Sequence, residues 1–375
     1  MVKNTLSKYT LETLSIQATN QLQISSICNA RCIFCSNNMN PFPIFRLGFR
    51  PLEDIKRAIS LLNPDISEVR LGDALPGRIS EGEALLHPDI IKILELIREK
   101  TPSCVVQINT NGIMLDKDFI EKLIPYKPLK FTISYHSDNP TYWCKIFNLK
   151  LDKYTIARDS FFLLSRNSFL IEAAIVPLPH LVGYPDIENT IKKFRFFTRE
   201  VIAYAPGYSY KAPKELKKIL DTDFLELSRF FMKVRKKYKM NIVLYPDLGA
   251  PPDFYPHAIM VETYRKKFSN VLWLFSSSIY KHAKIILEKC NKLVPNEHYA
   301  HEVKNNTYRG NIICSGLLMV DDYKRAIKEA LSNFRKSTID LIIMRGSAFD
   351  RFGDDLQGEN YSTLVDSFKI PIWLR

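Results

Sequence analysis

The 375-residue chain contains no long hydrophobic run. Its longest charge-free stretch, residues 13–30, is crowded with Gln, Ser, Thr and Asn, which excludes a bilayer helix there. The first 20 residues lack the apolar segment of a secretory signal, so the expected location is cytoplasmic. Glycine and proline number only 13 and 21, which excludes collagen-like and low-complexity chains. No repeat of solenoid period is visible. Cysteine is sparse at seven residues, with no second CxxC-like pair of the kind zinc sites usually show. In a cytosolic chain such cysteines serve as metal ligands or buried thiols rather than bridges. Acidic residues are outnumbered by 53 − 40 = 13, an excess that draws polyanions or acidic substrates without identifying them. Residues 205–240 hold 10 basic against 4 acidic side chains, with Arg235, Lys236, Lys237 and Lys239 nearly consecutive. Such a run is either a solvated helix face or a contact for RNA or phosphate.

What is present is alternation. Strand-like runs at 22–27, 68–71, 105–108, 130–134, 169–176 and 200–204 are interleaved with helical spacing at 52–62, 89–100, 117–123, 154–164 and 187–197. Such units in series imply right-handed crossovers and a parallel sheet, closed as a barrel or partial barrel. Beyond Met240 the pattern is less regular. Strands are expected at 241–245, 271–275, 339–344 and 370–374, and helices at 279–290 and 323–331. Pro246, Gly249, Pro251 and Pro252 mark a break between the halves. The expected architecture is therefore α/β: a partial (β/α)6 barrel over residues 1–240, then a smaller α/β domain over 241–375, a possible substrate-binding module.

Cys28, Cys32 and Cys35 follow the first strand as Cys-Asn-Ala-Arg-Cys-Ile-Phe-Cys. These spacings bring three thiolates around one centre in a single loop. Three fit a cubane iron–sulfur cluster that normally takes four, leaving one iron open. They also fit a zinc knuckle completed by a distant ligand. Cys104, Cys144, Cys290 and Cys314 are scattered singly. A second metal site on Cys290, Cys314, His298 and His301 is disfavoured, because His-x-x-His in a strand puts the two rings on opposite faces.

CxxxCxxC after the first strand resembles the signature of the radical S-adenosylmethionine (radical SAM) superfamily. Further resemblances follow in order: Ser80-Glu-Gly-Glu-Ala-Leu-Leu-His-Pro-Asp89 to the Gly-Gly-Glu-Pro loop, Gln107-Ile-Asn-Thr-Asn-Gly112 to the Thr-Asn-Gly strand end, and Phe131-Thr-Ile-Ser134 to the ribose-facing strand. The resemblance covers roughly residues 20–205. It implies that Cys28, Cys32 and Cys35 hold a [4Fe-4S] cluster whose open iron is chelated by SAM. It implies Phe34 near adenine, Gly82 and Glu83 at the SAM ammonium, and Thr110 and Ser134 beside its methionine and ribose portions. Glu81 and Ala84 depart from the loop pattern, and Asp73, in a weaker imitation of it, is a rival for the same role. The implied chemistry is reductive cleavage of SAM to a 5′-deoxyadenosyl radical, which takes hydrogen from a substrate. An electron donor of flavodoxin or ferredoxin type is implied as partner.

Candidates for a later catalytic role are Cys144, read as lying in a loop over the barrel mouth, and Tyr135; His136 leaves the same strand and is a further substrate contact. His87 reads as a helix-start residue. No cysteine-rich tail suggests an auxiliary-cluster domain. Residues from about 270 onward are similar to an uncharacterised domain found behind radical SAM barrels in some prokaryotic proteins, through residues 271–276, 305–310, 316–322 and 353–356. Gly316 and Gly346 there serve either tight turns or a phosphate on backbone N–H groups. The substrate stays open between RNA, peptide or protein, and a small metabolite. The alternative of another class is a non-catalytic metal-binding protein, holding zinc or an iron–sulfur cluster.

Overall fold

A computed structural model describes residues 20–42, 46, 48–65, 67–72, 82–249, 256–333, 339–349 and 352–375. Asp73, Glu81, Pro251 and Pro252 lie outside these residues. The chain divides into two units, with the break between Tyr245 and Pro246.

The first unit is a seven-stranded parallel sheet with its strands in sequence order. They are β1 (Gln21–Leu22), β2 (Glu68–Leu71), β3 (Val105–Thr110), β4 (Leu129–Ser134), β5 (Leu170–Ile175), β6 (Glu200–Tyr204) and β7 (Asn241–Tyr245). Between them run helices α1 (Leu52–Ser60), α2 (Ile90–Lys100), α3 (Lys117–Leu123), α4 (Pro140–Phe147), α5 (Leu151–Arg166), α6 (Pro179–Phe194), α7 (Lys214–Leu220) and α8 (Phe224–Tyr238). Sequential parallel pairing is what a train of right-handed crossovers produces. Among the described residues β1 and β7 do not pair, so the barrel is partial.

Two expectations need correction. The sheet has seven strands rather than six, because β7 pairs with β6 from Glu200↔Asn241 to Tyr204↔Tyr245. The division falls after Tyr245. The basic stretch supplies the reason: it folds as α7 and α8, a crossover that returns the chain parallel to β6. β1 is also shorter than the expected strand 22–27. The Ser26 N–H donates to Gly48 O at 2.9 Å and Arg50 N–H to Ile24 O at 3.1 Å, so 23–27 pairs locally instead of extending the ladder.

Alternation assigns the two faces of the sheet. Val106, Ile108, Phe131 and Ile133 are fully buried in the helix-facing core. Each such side chain contributes about 1.5–3 kcal/mol of transfer free energy. The opposite face carries Lys130, Thr132, Ser134 and Glu172. There the Thr132 hydroxyl donates to Glu172 Oε2 at 2.8 Å, and Lys130 Nζ lies 3.2 Å from Oε1.

Helix α4 was read as a loop. Asn139 caps it by accepting from the Thr141 and Tyr142 N–H groups at 2.9 and 3.3 Å, with Pro140 in its first turn. It ends at Asn148 in the left-handed region, φ 53°.

The second unit has a four-stranded parallel sheet in the order β11-β10-β8-β9. Its strands are β8 (Asn270–Ser276), β9 (Glu297–Val303), β10 (Leu341–Met344) and β11 (Ile372–Leu374). Helices α9 (His257–Arg265), α10 (Tyr280–Cys290), α11 (Val320–Asn333) and α12 (Ser362–Phe368) accompany them. Both faces are covered. Leu272, Ile342 and Met344 pack with α11 residues on one side; Trp273, Phe275 and Ile343 pack with Met260 and Leu287 on the other. Sheets buried on both faces read as continuous apolar runs, which is why Val271-Leu-Trp-Leu-Phe275 was legible.

Candidate active site

The cysteine loop leaves the carboxyl end of β1 and is fastened residue by residue. Before Cys28, Ile27 O accepts from the Glu83 N–H at 2.8 Å. After it, Asn29 Oδ1 accepts from Asn111 Nδ2 at 2.6 Å. Around Cys32, the Arg31 and Ile33 N–H groups donate to Phe147 O and Ile146 O at 3.1 and 3.0 Å. These carbonyls end α4 and have no helical partner of their own, so the loop satisfies them. Beyond Cys35, Met39 O accepts from the Ser209 hydroxyl, tying the loop to the segment after β6.

All three cysteines are free thiols; Cys28 is exposed, Cys32 and Cys35 half-buried. Burial pushes the Cys32 thiol up, and proximity to Cys28 and Cys35 adds to this. Among the described residues no three His, Cys, Asp or Glu side chains converge as the ligands of a single ion do.

Gly82 sits against the same loop. A Cβ there would lie 2.6 and 2.7 Å from Ser25 O and Ile27 O, so only glycine fits. Glu83 is buried, and its oxygens are engaged: Oε2 accepts from the Asn111 N–H at 2.8 Å and Oε1 from the Leu85 N–H at 3.4 Å. Burial raises its carboxyl to about 7, against the lowering effect of these bonds. The resemblance puts Glu83 on a ligand ammonium; the structure shows its carboxylate holding the protein's own backbone.

Thr110 Oγ1 accepts from the Gly112 N–H at 3.1 Å. By alternation along β3 it shares the helix-facing side with Val106 and Ile108, whereas Asn109 and Ser134 occupy the opposite face. Phe34 packs its ring edge-on to His136, with centroids 4.7 Å apart. His136 in turn stacks on Phe147 at 4.9 Å, and its Nδ1 accepts from the Val176 N–H at 2.9 Å. Burial lowers His136 to about 3, so the ring is neutral.

The two late-role candidates part company. Tyr135 is buried among Tyr154, Phe161 and Phe194, and its hydroxyl donates to Asp138 Oδ1 at 3.0 Å. That is the helix-side core, not the barrel mouth. Cys144 is half-buried on α4, within the helix whose end seats the cysteine loop, and burial raises its thiol. His87 Nδ1 accepts from the Asp89 N–H at 3.1 Å, at the start of α2. Sequence reasoning missed Asn29, Asn111 and Phe147 as fasteners. Asn111 stood inside the quoted Thr-Asn-Gly run, while Phe147 carried no local signal.

In the second unit, His298 Nδ1 accepts from Trp273 Nε1 at 2.8 Å, and His301 Nε2 lies 3.7 Å from Glu329.

Comparison with known proteins places the site in context. The radical SAM superfamily matches residues 22–159, which span the whole cysteine loop, Gly82, Glu83, Asn111 and Ser134. GTP 3',8-cyclase of Cronobacter sakazakii is 28% identical over 100 residues, 26% of this chain and 28% of that protein. FeMo cofactor biosynthesis protein NifB of Methanocaldococcus jannaschii is 22% identical over 228 residues, 53% of this chain and 72% of that protein. The chain thus spans little more than a quarter of the cyclase. Among solved structures, Streptococcus suis SuiB bound to S-adenosylmethionine aligns with TM-score 0.45 at 14% identity, covering 83% of this chain and 62% of that one. No helix among the described residues is long and apolar enough to cross a membrane.

Proposed function

We propose that this chain, a member of the radical SAM superfamily through residues 22–159, is an enzyme that takes hydrogen from an acidic substrate. The observation that carries the reading is the fastening of the thiol loop. Cys28 and Cys32 are bracketed by hydrogen bonds to Glu83, to Asn111 after β3 and to the end of α4, so the thiol loop is held by the fold around it. The residues fit a [4Fe-4S] cluster on a further ground: three thiols with no fourth beside them would leave one iron open for SAM.

Cys28, Cys32 and Cys35 would hold the cluster. When bound, the cluster and SAM supply a 5′-deoxyadenosyl radical, so the protein need provide no base for the first step. Gly82 and Glu83 would meet the SAM ammonium, Gly82 by its main chain and Glu83 by carboxylate lone pairs beyond those given to the Asn111 and Leu85 N–H groups. The absent Cβ of Gly82 lets the two loops close on each other. Phe34, seated on neutral His136, offers an apolar face to adenine and excludes water. Ser134 and Asn109 present short polar groups on the open face of the sheet. Electrons come from a flavodoxin- or ferredoxin-like donor, and the cytoplasm suits such a partner.

Charge favours an RNA among the open substrate classes: helix α8 exposes Lys233 and Lys236 and α7 exposes Lys214 and Lys218, cations that attract a polyanion. The decisive experiment is anaerobic reconstitution with iron and sulfide, then reduced-state EPR with and without SAM. A [4Fe-4S] signal that SAM perturbs, with 5′-deoxyadenosine formed on reduction, is expected. A colourless zinc protein, or a cluster indifferent to SAM, leaves the non-catalytic metal-binding reading instead. RNA retention should fall steeply with salt and lose about one unit of salt slope in Lys236→Ala. Retention indifferent to salt points to a peptide or small metabolite.

A further inference from the structure

The second unit carries a site that the radical chemistry does not use. Its strand order places β9 on one side of β8 and β10 on the other. The connections therefore leave β8 and β10 in opposite directions, and a crevice opens between their carboxyl ends. That reversal is where open parallel sheets bind ligands. A cavity of about 90 Å³ lies there, between Phe275 at the end of β8 and Met344 at the end of β10, with Ile259, Arg345 and Arg375 on its walls. At about 30 Å³ per water it holds roughly three waters, the size of a single anionic group.

The two guanidinium groups differ. Arg375 lies over the Trp373 ring, 4.9 Å from its centroid, and its Nη2 is 3.2 Å from Glu262 Oε2. Arg345 is half-buried and has no hydrogen-bond or ion-pair partner among the described residues. A cation partly withdrawn from water against apolar walls is costly unless an anion answers it. The same walls lower the local dielectric and strengthen whatever pairs with it.

The surrounding loops are already assembled. The Ser278 N–H donates to Ile313 O at 3.1 Å, joining the loops after β8 and β9. The Ser315 and Ser347 hydroxyls are 2.9 Å apart, joining the loops after β9 and β10; Ser276 and Ser278 pair at 3.0 Å. Buried carboxylates brace the flanks. Asp322 accepts from the Asn306, Thr307 and Met319 N–H groups, and Asp355 from those of Val320, Gln357 and Glu359. The Gly346 N–H is taken by Arg375 O at 2.9 Å, so a backbone cradle at that glycine is not what the site offers.

We infer that this crevice binds the phosphate group of a small phosphate monoester, with Arg345 as its principal counter-ion and Arg375 as the second. The test is isothermal titration of the full chain with inorganic phosphate, and with acetate as the carboxylate probe. Wild type should bind one phosphate saturably. Arg345→Met should weaken it at least tenfold, and Arg345→Lys, which keeps the charge but loses the fork, severalfold. Lys289→Ala, exposed in the last turn of α10 and not on the cavity wall, should leave it unchanged. Circular dichroism melts check folding, and the lysine variant carries the test should the methionine variant not fold. Absence of saturable binding overturns the inference. So does undiminished binding by the Arg345 variants, an equal loss in Lys289→Ala, or acetate binding as tightly as phosphate.

Discussion

Glu83 in the first unit and Asp322 and Asp355 in the second do the same physical work at the same end of a parallel sheet. Each is buried, and each accepts backbone N–H groups from loops distant in sequence. What the fastened loops then present differs. The first unit presents three thiols in one loop; the second presents Arg345 and Arg375 on the wall of a small cavity. The contrast teaches that a buried acid at a strand end is first a staple. The chemistry belongs to the neighbours it holds still.

Removing a thiol should break the comparison most severely. In Cys32→Ala, reconstituted iron should fall to background and 5′-deoxyadenosine formation below about 1% of wild type, at least about 2.7 kcal/mol of barrier. Cys314→Ala, in the second unit, should leave both unchanged. Iron analysis and product chromatography read the outcome.

Removing a staple comes next. Asp355→Ala leaves the N–H groups of Val320, Gln357 and Glu359 without their acceptor. At about 1–3 kcal/mol for each buried group left unmade, a loss of about 3 kcal/mol is expected in urea unfolding. The loss should be confined to the transition of the second unit.

The staple in the first unit should also reveal itself through pH. The Glu83 carboxyl is raised from 4.5 to about 7 in the folded chain, so the folded state holds its proton more tightly. Its contribution is fully present below pH 4.5 and lost as pH rises through 7, by about 3 kcal/mol. The urea midpoint should fall over that window. Glu83→Gln should flatten the fall, and an unchanged slope would remove Glu83 as its source.

The smallest effect separates the two units' glycines. Gly82→Ala drives a Cβ to 2.6 Å from Ser25 O and should cost about 1–3 kcal/mol, with weakened SAM binding. Gly316→Ala meets only Ser347 O at 3.5 Å and should stay within about 0.5 kcal/mol. Calorimetric melts of the two variants suffice.

Much of the first unit was legible because its signals are local. Asp116 accepting from the Phe119 N–H at 2.9 Å opens α3 where the periodicity begins, and Pro64 follows the end of α1. Helix α4 was missed although Asn139-Pro140 is a start signal, because eight residues after a strand read equally well as a loop. Strand β7 was given to the second half because the alternation becomes less regular beyond Met240, and no local feature says which sheet a strand joins. Tyr135 was offered to substrate because it follows Ser134. One residue of register turned it to the helix side.

By itself, the sequence determined which groups exist and how far apart the chain can hold them: three thiols within eight residues, strands alternating with helices, a glycine before an acid. These follow from covalent spacing and backbone periodicity. Only the tertiary structure decided where side chains spend their hydrogen bonds. Glu83 meets Asn111 across 28 residues, and Arg345 meets the cavity only because β10 crosses to the far side of β8. A carboxylate or a guanidinium looks the same in a sequence whether it is engaged or free. Burial makes the difference, because a group that has left water must find its partner in whatever the fold brings beside it.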